Sequence, residues 1–217
     1  MFEQLRSSRK IFVTGTDTGV GKTLVSAILM RALSATYWKP IQSGLDEETD
    51  TDFVRRITEL PRKHFLPEGI RLQAPLSPHA SAALEGRRIW MHELTPPNNF
   101  NGEQLIIEGA GGLMVPLNDH DLLVDYIVEL AVPVVLVARS GLGTINHTLL
   151  SLELLRNREV PILGVVMNGK PNPSNRQAIE NYGHVDVLAE IPEIPVMSPA
   201  VIEKLGRRFD VRSEILV

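Results

Sequence analysis

A glycine-rich loop spans residues 15–23, between a short apolar run and a segment with helical spacing. The apolar run covers residues 10–14, and within residues 22–33 the apolar positions recur at intervals of three and four. Glycines let a backbone turn so tightly that successive N–H groups can point at phosphate oxygens, and the helix that follows adds the positive end of its dipole. The pattern therefore predicts a strand–loop–helix unit that binds the phosphates of a nucleotide.

Two polar residues at the end of this loop have the chemistry that such a unit needs. Lys22 is expected to reach the β- and γ-phosphates, and the hydroxyl of Thr23 is expected to ligate magnesium. The spacing departs from the strict G-x-x-x-x-G-K-[ST] pattern, because Gly15 stands one residue early and Thr16 takes the glycine position. The other nucleotide contacts expected from the loop region are Gly19, Val20, Gly21 and Leu24.

The rest of the chain alternates apolar runs with segments of helical spacing. Strands are predicted at residues 36–39, 105–108, 132–138, 161–167 and 185–188. Helices are predicted at residues 50–58, 78–84, 122–130, 144–156 and 172–182, whereas most of the proline-rich stretch 60–97 is left unassigned. This alternation predicts an α/β fold with a doubly wound, mostly parallel sheet flanked by helices. We expect a single P-loop α/β domain over residues 1–217.

The composition of the chain excludes several classes of protein. Acidic residues outnumber basic ones by 26 to 22, whereas nucleic-acid binders are usually basic. The longest apolar run, residues 131–138, is far shorter than the roughly 18 residues of a membrane helix. No secretory signal is recognised, and the absence of cysteine excludes disulfides and thiol catalysis. We therefore expect a cytoplasmic protein that binds neither nucleic acid nor a membrane.

Two further polar residues follow apolar runs. Glu108 comes at the end of a predicted strand, where a carboxylate can hold magnesium opposite a phosphate loop. Asn168 comes at the end of another predicted strand. Its side-chain amide could bind the N6 and N7 edge of adenine, or the residue could simply belong to an Asn-Gly turn. The guanine-reading pattern N-K-x-D is absent, because Gly169 and Lys170 follow. This favours ATP over GTP.

Several blocks in a fixed order make the chain similar to the dethiobiotin synthetase family from about residue 11 to residue 195. The blocks are VTGTDTGVGKT (13–23), YWKPIQSG (37–44), SPHASAALEG (77–86), EGAGGLMVPL (108–117), GLGTINHTLL (141–150), VMNG (166–169) and EIP (190–192). The resemblance implies ring closure of 7,8-diaminononanoate with CO2, driven by Mg-ATP. It implies a carbamate and then a carbamic-phosphoric anhydride as intermediates.

The resemblance also implies roles for individual residues. The catalytic residues would be Lys39, Lys22 and Thr18. The substrate would contact Ser43, Thr18, Gly111, Gly141 and Asn146. Magnesium would be held by Thr23, Asp52 and Glu108, with Asp50 as the less favoured alternative to Asp52. Beyond the loop, the nucleotide would contact Gly109, Ala110, Gly111, Asn168, Gly169, Pro192, Glu193 and Ile194. A homodimer with its active site near the interface is expected on the same ground.

Two other classes of protein share these features in part. Partitioning and regulatory ATPases that bind a partner protein have a similar loop, but they place a lysine five residues before the motif lysine, where this chain has Asp17. Amide synthases of the cobyrinate type usually carry a glutaminase domain with a catalytic cysteine, and this chain has no cysteine. Both alternatives therefore fit less well.

Overall fold

A six-stranded parallel sheet forms the centre of the molecule in the computed structural model, which describes residues 2–97, 100 and 104–209. The spatial order of its strands is β2-β5-β1-β6-β7-β8. Their bounds are Lys10–Gly15 (β1), Thr36–Trp38 (β2), Leu105–Gly112 (β5), Val134–Arg139 (β6), Ile162–Asn168 (β7) and Val187–Ile191 (β8). Two further strands, Ile41–Ser43 (β3) and Ile70–Leu72 (β4), pair with each other in a small parallel sheet.

Helices cover the sheet and connect its strands. Their bounds are Phe2–Ser7 (α1), Lys22–Leu33 (α2), Asp50–Thr58 (α3), Pro78–Leu84 (α4), Leu123–Leu130 (α5), Thr144–Asn157 (α6), Pro173–Gly183 (α7) and Pro199–Gly206 (α8). The predicted α/β class with a mostly parallel sheet is confirmed. The helices α1 and α8 and the small β3–β4 sheet were not predicted from the sequence. No helix among the described residues has both the length and the apolar character needed to cross a membrane.

The sheet buries side chains on both faces, which explains why its strands read as continuous apolar runs. Ile11 and Val13 point toward the layer of α2, α3 and α8, whereas Phe12 between them packs with α5 on the other face. Ile106 and Tyr37 lie on the first of these faces. Because side chains alternate along a strand, Glu108 shares the face of Ile106. Glu108 and Tyr37 therefore meet beneath α2.

β5 is longer than predicted. It continues past Glu108 to Gly112, because the parallel pairing with β1 resumes at Gly15 and Gly112 after an irregularity. Glu108 consequently lies within the strand, and its side chain is fully buried. The glycines that follow it belong to the strand and do not form a separate turn.

The outer edge of β2 is also hydrogen-bonded. The Leu66 amide donates to the Tyr37 carbonyl at 3.0 Å, and the Gly69 amide donates to the Lys39 carbonyl at 3.0 Å. These bonds fix the backbone on both sides of Trp38. The side chains of Tyr37 and Lys39 therefore start from a rigid base.

Candidate active site

The glycine-rich loop joins β1 to α2 and is tightly closed. Gly21 precedes α2 with a φ of 101°, and a Cβ atom there would lie 2.2 Å from the side-chain nitrogen of Asn168. Only glycine fits this position, because the backbone is left-handed and the neighbour is too close. Lys22 is buried, and its Nζ donates to the Asp17 carbonyl at 3.1 Å across the loop. The lysine therefore points back over the loop, where phosphates are expected.

Contacts from two neighbouring strands brace the loop. Asn168 at the end of β7 donates from Nδ2 to the Val20 carbonyl at 2.9 Å. Arg139 at the end of β6 pairs with the Asp17 carboxylate at 2.5 Å, and that carboxylate also accepts from the Thr18 amide at 2.7 Å. The Asn168 amide group thus supports the loop, a role that neither interpretation of the sequence included. The Val20 side chain packs into the core, so only its backbone is available to a nucleotide.

At the start of α2, a cluster of polar side chains faces the loop. The Thr23 hydroxyl donates to Glu108 Oε1 at 2.9 Å and lies 2.8 Å from Asp50 Oδ1. Lys39 Nζ lies 3.0 Å from Glu108 Oε1 and 2.5 Å from Asp50 Oδ2. The Tyr37 hydroxyl donates to Glu108 Oε2 at 2.9 Å. One cation thus lies between two carboxylates, with two hydroxyl groups completing their hydrogen bonds.

Burial and charge oppose each other in this cluster. Burial alone would lower the pKa of Lys39, but the charges of Glu108 and Asp50 outweigh burial and raise that pKa overall. Burial would likewise raise the pKa of Asp50, but the charge of Lys39 prevails and lowers it. Burial and the nearby Lys39 charge lower the pKa of Lys22. The Lys39–Asp50 pair is therefore held in its ionised form.

The structure places Asp50 in this cluster, whereas Asp52, which the sequence analysis favoured as the magnesium ligand, lies outside it. The Asp52 carboxylate accepts from the Thr49 hydroxyl at 2.9 Å and pairs with Arg55 at 2.9 Å, and about half of its side chain is exposed. Asp50 and Asp52 are two residues apart on α3, so their side chains point about 200° apart around the helix axis. The spacing Thr49-x-x-Asp52 resembles a helix capping box and could have identified Asp52 as a cap.

A cleft of about 570 Å³ opens over the cluster. The predicted site residues that line it are Thr18, Gly19, Gly21, Lys22, Thr23, Lys39, Ser43, Glu108, Ala110 and Gly111. One wall of the cleft, formed by residues 75–78 at the start of α4, was not among the predicted site residues. The buried Ser43 hydroxyl has no hydrogen-bond partner within the described part of the chain. It is a polar group available to a ligand in the cleft.

A second cleft, of about 560 Å³, lies at the carboxyl ends of β6 and β7. Its lining includes Gly141, Asn168, Gly169 and Glu193 among the predicted site residues. Asn168 joins it to the phosphate loop through its bond to Val20. The structure therefore brings three predicted nucleotide contacts, Asn168, Gly169 and Glu193, together with Gly141, which was predicted to contact the substrate.

Several predicted contacts lie outside both clefts. Pro192 and Ile194 flank Glu193 without lining the second cleft, and Ile194 packs against the core. Leu24 also packs against the core. Gly109 contributes its carbonyl to Lys39 at 3.3 Å, whereas a side chain there would collide with Phe12. These contacts stay predictions.

Asn146 also lies outside both clefts. It is exposed in the first turn of α6, and it does not line either cleft in this chain. Its expected contact with substrate stays a prediction.

The cluster suits a magnesium ion bound together with nucleotide phosphates. Thr23, Asp50 and Glu108 present only oxygen ligands, which this hard cation prefers. No group of three or more histidine, cysteine or acidic side chains suited to hold a metal by itself occurs in the described residues. Two carboxylates and a hydroxyl still fit, because magnesium usually keeps waters and takes further ligands from the phosphates.

Comparisons with known proteins agree with this chemistry. The family model described as an AAA domain matches residues 9–201. The ATP-dependent dethiobiotin synthetase BioD of Paramagnetospirillum magneticum is 54% identical over 197 residues, which cover 91% of this chain and 94% of that protein. The biotin biosynthesis bifunctional protein BioCD of Bordetella avium is 49% identical over 216 residues, which cover 99% of this chain and 46% of that protein.

Solved structures resemble the chain in fold. The septum site-determining protein MinD of Pyrococcus horikoshii, solved with Mg-ADP, superposes with a TM-score of 0.55 and 15% identity. The match covers 95% of this chain and 98% of that one. A ParA family ATPase of Chlorobium tepidum gives a TM-score of 0.54 at 12% identity, with 97% and 93% covered. At these identities the likeness shows a shared P-loop ATPase fold.

Proposed function

Because the chain belongs to the family of ATP-dependent dethiobiotin synthetases, an enzyme family of biotin biosynthesis, we propose that it joins CO2 to 7,8-diaminononanoate at the cleft described above. ATP drives the ring closure, and the products are dethiobiotin, ADP and phosphate. The observation that supports this site is the placement of Lys39 between Asp50 and Glu108 beside the phosphate loop. We place the reaction in the cytoplasm.

The reaction sets a specific electrostatic problem. One amine of the substrate attacks CO2 and loses a proton, which gives a carbamate anion. A carbamate oxygen then attacks the γ-phosphorus of ATP, and ADP leaves. Both reactants are anions, so fixed cations and backbone dipoles have to offset their repulsion where charge develops. The second amine finally attacks the carbamoyl carbon, phosphate leaves and the ring closes.

The residues of the cleft divide this work. Lys22 and the loop amides hold the β- and γ-phosphates, and Lys39 turns toward the carbamate and the transferring phosphoryl group. Thr18 and Ser43 line the cleft where the amines would lie. Thr23, Asp50 and Glu108 would hold magnesium. When bound, magnesium neutralises charge on the phosphate oxygens.

We further propose that two copies of the chain form the complete site. Apolar side chains are exposed around the start of α6 and beside the cleft: Leu142 is fully exposed, and Met114 and Leu150 are largely exposed. Gly141 and Asn146 lie in the same region. An exposed apolar surface of this kind is typical of an interface. A second copy placed there could receive the carboxylate of the substrate at these residues.

The direct test follows phosphate release from Mg-ATP with and without 7,8-diaminononanoate and bicarbonate. The product is identified by its mass. Release that needs both additions, with the mass of the cyclic urea, supports the proposal. The Lys22→Ala protein serves as a control for contaminating ATPases. Slow release that ignores the diamine would overturn the proposal and point to an ATPase that acts on a partner protein.

The two acids at the start of α3 offer a matched pair of variants. Asp50→Asn is expected to raise the magnesium concentration that half-saturates turnover by at least about tenfold, since even residues one shell removed from a metal cost this much. Asp52→Asn removes only a cap contact and a surface ion pair worth about 0.2–1 kcal/mol, so its magnesium dependence should match the wild type. Turnover of both variants, measured against magnesium concentration, shows which of the two carboxylates binds magnesium. The reverse result would restore Asp52 as the magnesium ligand.

A further inference from the structure

Tyr37 has a buried hydroxyl group that is hydrogen-bonded to a carboxylate and has no part in the mechanism proposed above. It occupies β2, two residues before Lys39, and both Tyr37 and Glu108 are fully buried. Its hydroxyl donates to Glu108 Oε2 at 2.9 Å. The other carboxylate oxygen, Oε1, accepts hydrogen bonds from the Thr23 hydroxyl and from Lys39 Nζ. The two oxygens of Glu108 thus have different partners.

The partners of Oε1 must change during the proposed reaction, whereas the partner of Oε2 can stay. Thr23 has to direct its oxygen toward magnesium, and Lys39 has to turn toward the carbamate. The loss of hydrogen-bond donors to a buried carboxylate costs much free energy unless other donors replace them. Tyr37 is too deeply buried to reach a ligand in the cleft, since it is absent from the lining. Its hydroxyl can therefore keep donating throughout.

The backbone holds the phenol in place. Tyr37 pairs with Ile106 of β5 on one side, and its carbonyl accepts from the Leu66 amide on the other. Glu108 lies two residues after Ile106 on the same strand face. The distance between the phenol and the carboxylate is therefore set by sheet register and not by a mobile loop.

We propose that Tyr37 is a positioning residue that fixes the Glu108 carboxylate, so that Oε1 stays aimed at magnesium while Thr23 and Lys39 change partners. This inference rests on the proposed function of the site. Tyr37 does not line the cleft and would act only through Glu108. Groups that orient metal ligands in this way commonly change metal affinity about 10- to 100-fold when removed.

The test uses Tyr37→Phe, which removes one oxygen and keeps the ring. The matched control is Tyr126→Phe, because Tyr126 is also buried and its hydroxyl donates to the Leu94 carbonyl at 2.6 Å, away from the cleft. The probe is Mn2+, titrated into the full chain saturated with a non-hydrolysable ATP analogue and followed by its EPR signal. Thermal unfolding without ligands shows whether each variant has kept its fold.

We expect Tyr37→Phe to weaken Mn2+ binding about tenfold or more, whereas Tyr126→Phe leaves it within about twofold. Excess Mg2+ should also restore the turnover of Tyr37→Phe. Unchanged Mn2+ affinity in a folded Tyr37→Phe protein, or an equal loss in both variants, would overturn the proposal. The titration contains no diamine or CO2. The Mn2+ titration is therefore independent of the overall reaction. If the wild-type protein makes no dethiobiotin, the proposed function is overturned, but the effect of Tyr37→Phe on Mn2+ binding can still be interpreted.

Discussion

Replacing Lys22 by alanine is expected to remove nearly all turnover. The lysine begins α2, and its ammonium group points across the phosphate loop to the Asp17 carbonyl. Burial lowers its pKa, so part of the cost of desolvating this charge is met before the nucleotide binds. A preorganised charge of this kind contributes roughly 3 kcal/mol or more to the transition state, which corresponds to at least about 100-fold in rate.

The measurement is kcat and kcat/KM for ATP, together with a melting curve that shows the variant is folded. Lys204→Ala is the control, because Lys204 is exposed on α8 and lines neither cleft. We expect the control to change turnover only slightly. Near-normal turnover by a folded Lys22→Ala protein would refute the phosphate-binding role of this lysine.

Replacing Lys39 is expected to separate chemistry from binding. The Lys39→Ala protein should keep its ATP affinity within a few-fold, because the loop and Lys22 hold the phosphates. Its chemical step should slow by at least about 100-fold, since the cation that faces the carbamate and the transferring phosphoryl group is then missing. Lys39→Met fills more of the vacated volume but also lacks the charge, so it should behave like Lys39→Ala in the chemical step.

Lys39 also supports the fold, and this effect can be measured separately. The Lys39 and Glu108 side chains are both almost fully buried, and breaking such a pair typically costs about 3–5 kcal/mol. Denaturant unfolding without ligands should show this loss in Lys39→Met. Single-turnover kinetics and nucleotide binding then isolate the catalytic effect. A large loss of ATP affinity with an unchanged chemical step would show that the roles of the two lysines were assigned wrongly.

More of the fold than of the candidate site could be predicted from the sequence. Long periodic segments such as α6 and the apolar run of β6 were predictable, because burial on one or both faces leaves a clear pattern. The strands β3 and β4 have three residues each, which is too short for any period to appear. Glu108 looked like a strand end because glycines follow it, and only the pairing with β1 shows that the strand continues.

Within the site, side-chain direction and long-range contacts are what the sequence could not supply. Asp50 and Asp52 have the same chemistry and nearly the same position in the chain, and only the helix geometry separates them. Tyr37 reads as one more apolar strand residue, because its hydroxyl meets a carboxylate 71 residues further along the chain. Lys22 and Thr23 were predictable, since the loop and the helix that position them are adjacent in sequence.

The hydrogen bonds along the outer edge of β2 have a consequence for aggregation. An open sheet edge offers unpaired amides and carbonyls to strands of other molecules, which is one route to fibrils. Here Leu66, Gly69 and Ile70 already donate to the carbonyls of Tyr37, Lys39 and Pro40. A foreign strand would have to displace this segment before it could pair with β2. The strand that leads to the proposed catalytic lysine is thus shielded from intermolecular strand pairing by its own chain.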